Sequence, residues 1–190
     1  MIIRKAYKFK METSADQSAI LRILCGHSRF IWNNGLRHCF DELEKGNRVP
    51  SVYELNKLIP IWKQDPDLHW LKEGNAVTFQ QKLSDLSTAW KRCFDKKIQS
   101  DRPRFKKKGK SQDSIRIVQF DKYCKINNRR VKLPSKIGWV KFKKSQEIIG
   151  KIKNCTISLK SNDWYISFQV EQELEILDHQ STSSIGVDMG

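Results

Sequence analysis

The sequence predicts an α+β protein in which a small antiparallel β-barrel is interrupted by an inserted helical domain. Three observations carry that prediction. Apolar residues recur at helical intervals through roughly the first hundred positions. Beyond Ser111 they alternate along short runs bounded by turn residues. A lone strand-like stretch at the start has no partner within the helical region.

That first stretch, Ile2 to Lys10, places Ile3, Tyr7 and Phe9 on one side of an extended chain and Arg4, Lys8 and Lys10 on the other. A strand needs neighbours for its ladder, so it is assigned to the sheet formed after Ser111. Ser14 and Gln17 have capping-box spacing ahead of Ile20, Leu21, Leu24, Phe30, Ile31 and Leu36. They open one long helix, or two broken near Gly26 or Gly35, ending at Gly46-Asn47. Ser51 caps a second helix, whose face of Val52, Leu55, Leu58 and Ile59 is interrupted by Pro60. The third runs from about Asn75 to Ile98 with Val77, Leu83, Leu86, Trp90 and Phe94 as its stripe.

At Asp101 to Lys110, DRPRFKKKGK, six of ten residues are Lys or Arg while Pro103 and Gly109 oppose helix, giving a basic linker. The runs SIRIVQF, RRVKLP, WVKFK, KNCTISLK and DWYISFQVE follow. Ser161 to Asp163 turns the last pair into a hairpin, and short strands of this kind imply a small barrel. Residues 1–12 are thus its first strand, 13–100 the helical domain, 101–110 the linker and 111–173 the rest of the barrel. A polar linker at 174–184 precedes IGVDMG at 185–190.

The formal net charge is +15, and its location is informative. Lys91 to Lys153 holds 22 Lys or Arg against five Asp or Glu, leaving 14 against 16 elsewhere. Such a one-signed segment favours a polyanion, nucleic acid above all, over an ordinary mixed surface. Five scattered cysteines with no CxxC pair read as reduced thiols and exclude a zinc knuckle. With no apolar run near the roughly 20 residues of a membrane span, the expectation is a cytoplasmic protein without membrane contact.

Chemistry-bearing candidates are few. Asp188 follows an apolar strand between Gly186 and Gly190, a placement that suits a metal ligand and equally a plain polar strand end. Two-metal phosphoryl chemistry needs several converging carboxylates, and one does not suffice. His27, His38, His69 and His179 lack metal-ligand spacing, and there is neither a GxSxG turn nor a glycine-rich phosphate loop. In the basic segment Phe105, Trp139 and Phe142 interleave with lysines, either to stack on bases or to pack a core. The third helix exposes Gln80, Gln81, Lys82 and Asp85 on a polar side, suited to a base edge or to solvent.

In this order, RKAYKFK, SRFIWNNGL, FQQKLSDLSTAWKRCF, RPRFKKKG, VKLPSKIGWVKFK, WYISFQVE and GVDMG resemble the amino-terminal half of the TnpB/OrfB-type proteins of insertion sequences. The resemblance covers almost the whole chain. It implies an RNA-guided DNA endonuclease, related to compact type V CRISPR effectors, in which a wedge-like barrel is interrupted by a helical recognition domain. It further implies that 185–190 begins a truncated RuvC-like nuclease domain, with Asp188 as its first catalytic, metal-binding acid and Mg²⁺ as the cofactor of the complete protein. The later acids of that domain and its zinc-ribbon cysteines are not in this sequence, so the expectation is a recognition half that does not cleave alone.

The partners so implied are a guide RNA and a double-stranded DNA target, with a separate nuclease-domain polypeptide as a third. Arg102, Arg104, Lys106, Lys107, Lys108 and Lys110 are the expected phosphate contacts, and Gln80 and Tyr53 the readers of a short DNA motif. The alternatives are a guide-independent helix-turn-helix regulator and a structural remnant.

Overall fold

The computed structural model describes residues 1–98 and 100–173. Strand β1 (Ile2–Glu12) leads into helix α1 (Ala15–Glu44), followed by α2 (Val52–Gln64), a 3₁₀ segment (Pro66–Glu73) and α3 (Ala76–Phe94). After the basic stretch come β2 (Ser114–Val118), the short helix α4 (Phe120–Tyr123), β3 (Lys125–Asn127), β4 (Arg130–Leu133), β5 (Gly138–Phe142), β6 (Lys151–Lys160) and β7 (Asp163–Glu173).

The described strands pair antiparallel in the order β2-β6-β7-β1-β5-β4-β3. As expected, β1 crosses the helical region to join the late strands. Its residues Ile2 to Lys10 pair with β7, and Met11 and Glu12 pair with β5. This change of partner folds two half-sheets over one core, where the Phe9 ring lies 5.2 Å from that of Phe142 and 6.1 Å from that of Phe168. Ser161 and Asn162, both at positive φ, make a two-residue hairpin turn between β6 and β7.

The strands expected to form a small barrel make a sheet that is not closed, its end strands β2 and β3 sharing no ladder among the described residues. Helix α1 does what closure would have done. Its Leu21 and Cys25 are buried in the sheet core, with Ile20 and Leu24 packed against it. The far half of α1 contributes Ile31, Trp32, Leu36 and Cys39 to a second core with Leu55, Ile59, Leu83, Leu86 and Trp90.

The capping boxes at Ser14/Gln17 and Ser51/Glu54 are both formed. Helix α1 is continuous through Gly26 and Gly35 and ends before Gly46 at φ +79°. Helix α2 does not stop at Pro60, contrary to expectation. Trp62 beyond the proline packs partly buried on the helical core, which offsets part of the roughly 3 kcal/mol an interior proline costs. Helix α3 ends at Phe94, four residues earlier than expected, because Asp95 Oδ1 accepts from the Lys97 amide and offers the backbone a turn instead. Residues 174–190, with the expected linker, the nuclease-domain strand and Asp188, lie outside the described residues.

Candidate nucleic-acid interface

The basic segment has no regular secondary structure, yet it is fixed to α1. Trp32 Nε1 donates to the Arg104 carbonyl at 3.0 Å. Asn33 takes both backbone groups of Lys106, its Nδ2 donating to the carbonyl and its Oδ1 accepting from the amide. Pro103 is buried, and further on Arg29 Nη1 meets Asp113 Oδ1 at 2.6 Å. With the Arg104 and Lys106 backbone held in this way, the segment presents its side chains from an anchored main chain.

Arg102, Arg104, Lys107, Lys108 and Lys110 are exposed, and Arg104 pairs with Asp101 at 2.7 Å in a solvated contact of little energetic weight. Lys106 is placed differently. It is half-buried, with Nζ 4.0 Å from the centre of the Trp32 ring. Burial pushes its pKa down to about 8, Lys82 acting in the same direction, while Asp85 and Asp113 oppose. Phe105 is exposed but engaged by Phe40 and by the Arg37 guanidinium.

The other candidates stand apart from this segment. Gln80 is exposed on α3, and Tyr53 is exposed on α2 with Lys57 Nζ 4.5 Å from its ring centre. No hydrogen bond or ring contact among the described residues joins either to the basic segment. Of the interleaved aromatics, Phe142 is core at 2% exposure whereas Trp139 is 44% exposed. Lys82, expected on the polar side of α3, is buried, with Asp85 Oδ2 at 3.7 Å.

The lysines interleaved with Trp139 and Phe142 belong to a second basic surface, where β1 moves from β7 to β5. An open groove of about 540 Å³ is lined there by Arg129, Arg130, Lys141, Lys143 and Lys144, with Glu12 as its acid. The available signal was the alternation in RRVKL, which turns Arg130 and Lys132 outward once Val131 and Leu133 are set inward.

The cysteines are free thiols, and Cys25, Cys39, Cys124 and Cys155 are buried. Burial pushes Cys25 up to about 12 and Cys39 to about 11; a hydrogen bond with Cys124, together with burial, raises Cys155. With their pKa values raised, Cys25, Cys39 and Cys155 stay protonated and unreactive. Among the described residues no group of three or more His, Cys, Asp or Glu side chains is placed to hold a metal ion. No described helix is long and apolar enough to cross a membrane.

The fold and this surface are those of a basic α+β protein whose first elements match a known class: residues 1–48 match the OrfB family of IS605 elements, described as a helix-turn-helix domain. Within those residues the structure has β1 and the single helix α1, and the turn into the next helix only begins there. The chain is 34% identical over 186 residues to "Putative RNA-guided DNA endonuclease InsQ" of Escherichia coli (strain K12), covering 98% of this chain and 45% of that protein. It is 24% identical over 194 residues to a "Putative RNA-guided DNA endonuclease" of Streptomyces pristinaespiralis, covering 99% and 46% respectively. It is similar over nearly its whole length to the amino-terminal half of TnpB/OrfB-type insertion-sequence proteins and spans about half the length of these relatives.

Proposed function

We propose that this chain forms the nucleic-acid-gripping portion of an RNA-guided DNA endonuclease, holding a guide RNA and a short duplex motif beside the DNA target. The observation that carries this reading is the basic segment, whose backbone is bound to α1 while five cationic side chains remain exposed. Cations on a fixed backbone neutralise phosphates with little ordering cost and release counterions. The guide supplies sequence specificity by base pairing, while the protein holds its backbone and shape.

In this reading Gln80 and Tyr53, exposed on adjacent helices, read the DNA motif, and the two half-sheets sharing β1 form the wedge-like, partly open barrel. Residues 185–190 open a RuvC-like domain in which Asp188 binds Mg²⁺. Cleavage then requires carboxylates additional to Asp188, supplied by another segment or polypeptide, because one acid does not hold two metal ions.

The test is sequencing of nucleic acid co-purified with the tagged protein and with a variant carrying Gln at positions 102, 104, 107, 108 and 110. Lys106 is left in place because it seats the segment on Trp32. Enrichment of one structured RNA, reduced at least tenfold in the variant, is the expected result. Sequence-specific duplex DNA without RNA would favour the helix-turn-helix regulator, and no enrichment at all would overturn both.

A further inference from the structure

The outward face of β3, β4 and β5 carries an arrangement of side chains that the basic segment does not explain. The register sets Lys125 opposite Lys132, and Lys132 opposite Trp139. The adjacent row runs Asn127, Arg130, Lys141. Directly opposed residues share a face about 5 Å apart, and the two rows lie about 7 Å apart along the strands. All six are exposed, while Val131, Leu133, Val140 and Phe142 take the inner side.

Two features of this grid run against folding stability. Lys125 with Lys132, and Arg130 with Lys141, are like charges placed directly opposite, an unfavourable pairing in a free sheet. None of the four forms an ion pair with a described residue. The second is Trp139. Of the four exposed aromatic side chains, Phe94 stacks on Trp90, Phe105 meets Phe40 and Arg37, and Tyr53 meets Lys57. Trp139 alone has no ring or cation partner among the described residues. A flat apolar ring held open within a field of uncompensated cations is the chemistry that binds an unpaired base between phosphates.

We propose that this face is a stacking platform for a single-stranded nucleic-acid segment, with Trp139 taking one base and Lys125, Arg130, Lys132 and Lys141 the neighbouring phosphates. The platform rests on the nucleic-acid-binding reading above and adds a second contact surface, separate from the basic segment. A ring and a row of ammonium and guanidinium groups recognise base and phosphate without regard to sugar, so both RNA and DNA strands fit its chemistry. A duplex does not, because its bases are already stacked.

The experiment measures affinity by fluorescence anisotropy for short labelled RNA, single-stranded DNA, duplex DNA and an abasic strand. The proteins are the full chain, Trp139→Ala, Trp139→Tyr and a variant with Gln at 125, 130, 132 and 141. Trp139→Ala is expected to weaken single-strand binding on the order of tenfold, with Tyr restoring most of it and the abasic strand showing no difference. The four-Gln variant flattens the salt dependence by about 0.7 in log–log slope for each phosphate it no longer neutralises. The strand whose affinity falls, RNA, DNA or both, names the source. Unchanged single-strand affinity in Trp139→Ala, or an equal fall on duplex and single strand, overturns the platform while leaving the general reading intact. Failure of the unsubstituted protein to bind any of the four probes overturns that reading instead. A thermal midpoint no lower than the parent's establishes that the variants are folded, since all substituted side chains are exposed and relieving the opposed like charges can only raise it.

Discussion

His27 sits on the buried side of α1 against the rings of Trp70 and Phe79, 4.8 and 6.4 Å away between centroids, and its Nδ1 has no hydrogen-bond partner among the described residues. Burial lowers its pKa from the usual 6.5, Glu73 pulling the other way. The unfolded chain therefore takes up a proton that the folded chain resists, and stability falls as pH drops below about 6.5. The slope is at most about 1.4 kcal/mol per pH unit. The thermal midpoint of the parent should decline more steeply through this range than that of His27→Gln; parallel curves would show that His27 does not carry the effect. At this scale the sequence was partly legible. Parity on β5 already separates Phe142 from Trp139 once Val140 is inward, setting the core ring apart from the exposed one. The opposition of Trp139 with Lys132 was hidden, because it depends on the turn between β4 and β5, where Ser135, Lys136 and Gly138 at positive φ accompany the register.

Among the elements, α1 makes the sharpest contrast between two glycines in one helix. A methyl at Gly35 would stand 2.6 Å from Leu83 Cδ2 and 3.1 Å from Leu86 Cδ2, so this glycine is what lets α1 and α3 approach. At Gly26 the nearest atom is the end of Arg29, 3.9 Å away. Gly35→Val should destabilise by about 1–3 kcal/mol through overpacking, whereas Gly26→Ala should gain up to about 1 kcal/mol in helix propensity. Urea unfolding of both variants checks the pair, and a destabilised Gly26→Ala would mean that the helix needs flexibility there. Helix starts were readable because Ser14, Ser51 and Asn75 cap locally with their own side chains. The seating of the basic segment was not readable, since Trp32 and Asn33 meet Arg104 and Lys106 more than 70 residues away.

For the molecule as a whole, α1 is the shared wall of both cores, giving Leu21 to one and Leu36 to the other. Leu21→Ala and Leu36→Ala should each cost about 2–5 kcal/mol and lower one and the same thermal transition. Two separable transitions would show that the cores unfold independently. The position of β1 has a different consequence, in time rather than in energy. Its main ladder partner, β7, is synthesised about 150 residues later, which at the usual ribosomal pace of about 5–20 residues per second leaves β1 waiting roughly 8–30 s. Throughout that interval the apolar face of Tyr7, Phe9 and Met11 lacks the ladder that β7 gives it in the finished fold. Arg4, Lys5, Lys8 and Lys10 flank that face with positive charge, which discourages premature strand-to-strand association with neighbouring copies. The lysines of the first strand thus protect the chain before it has a fold.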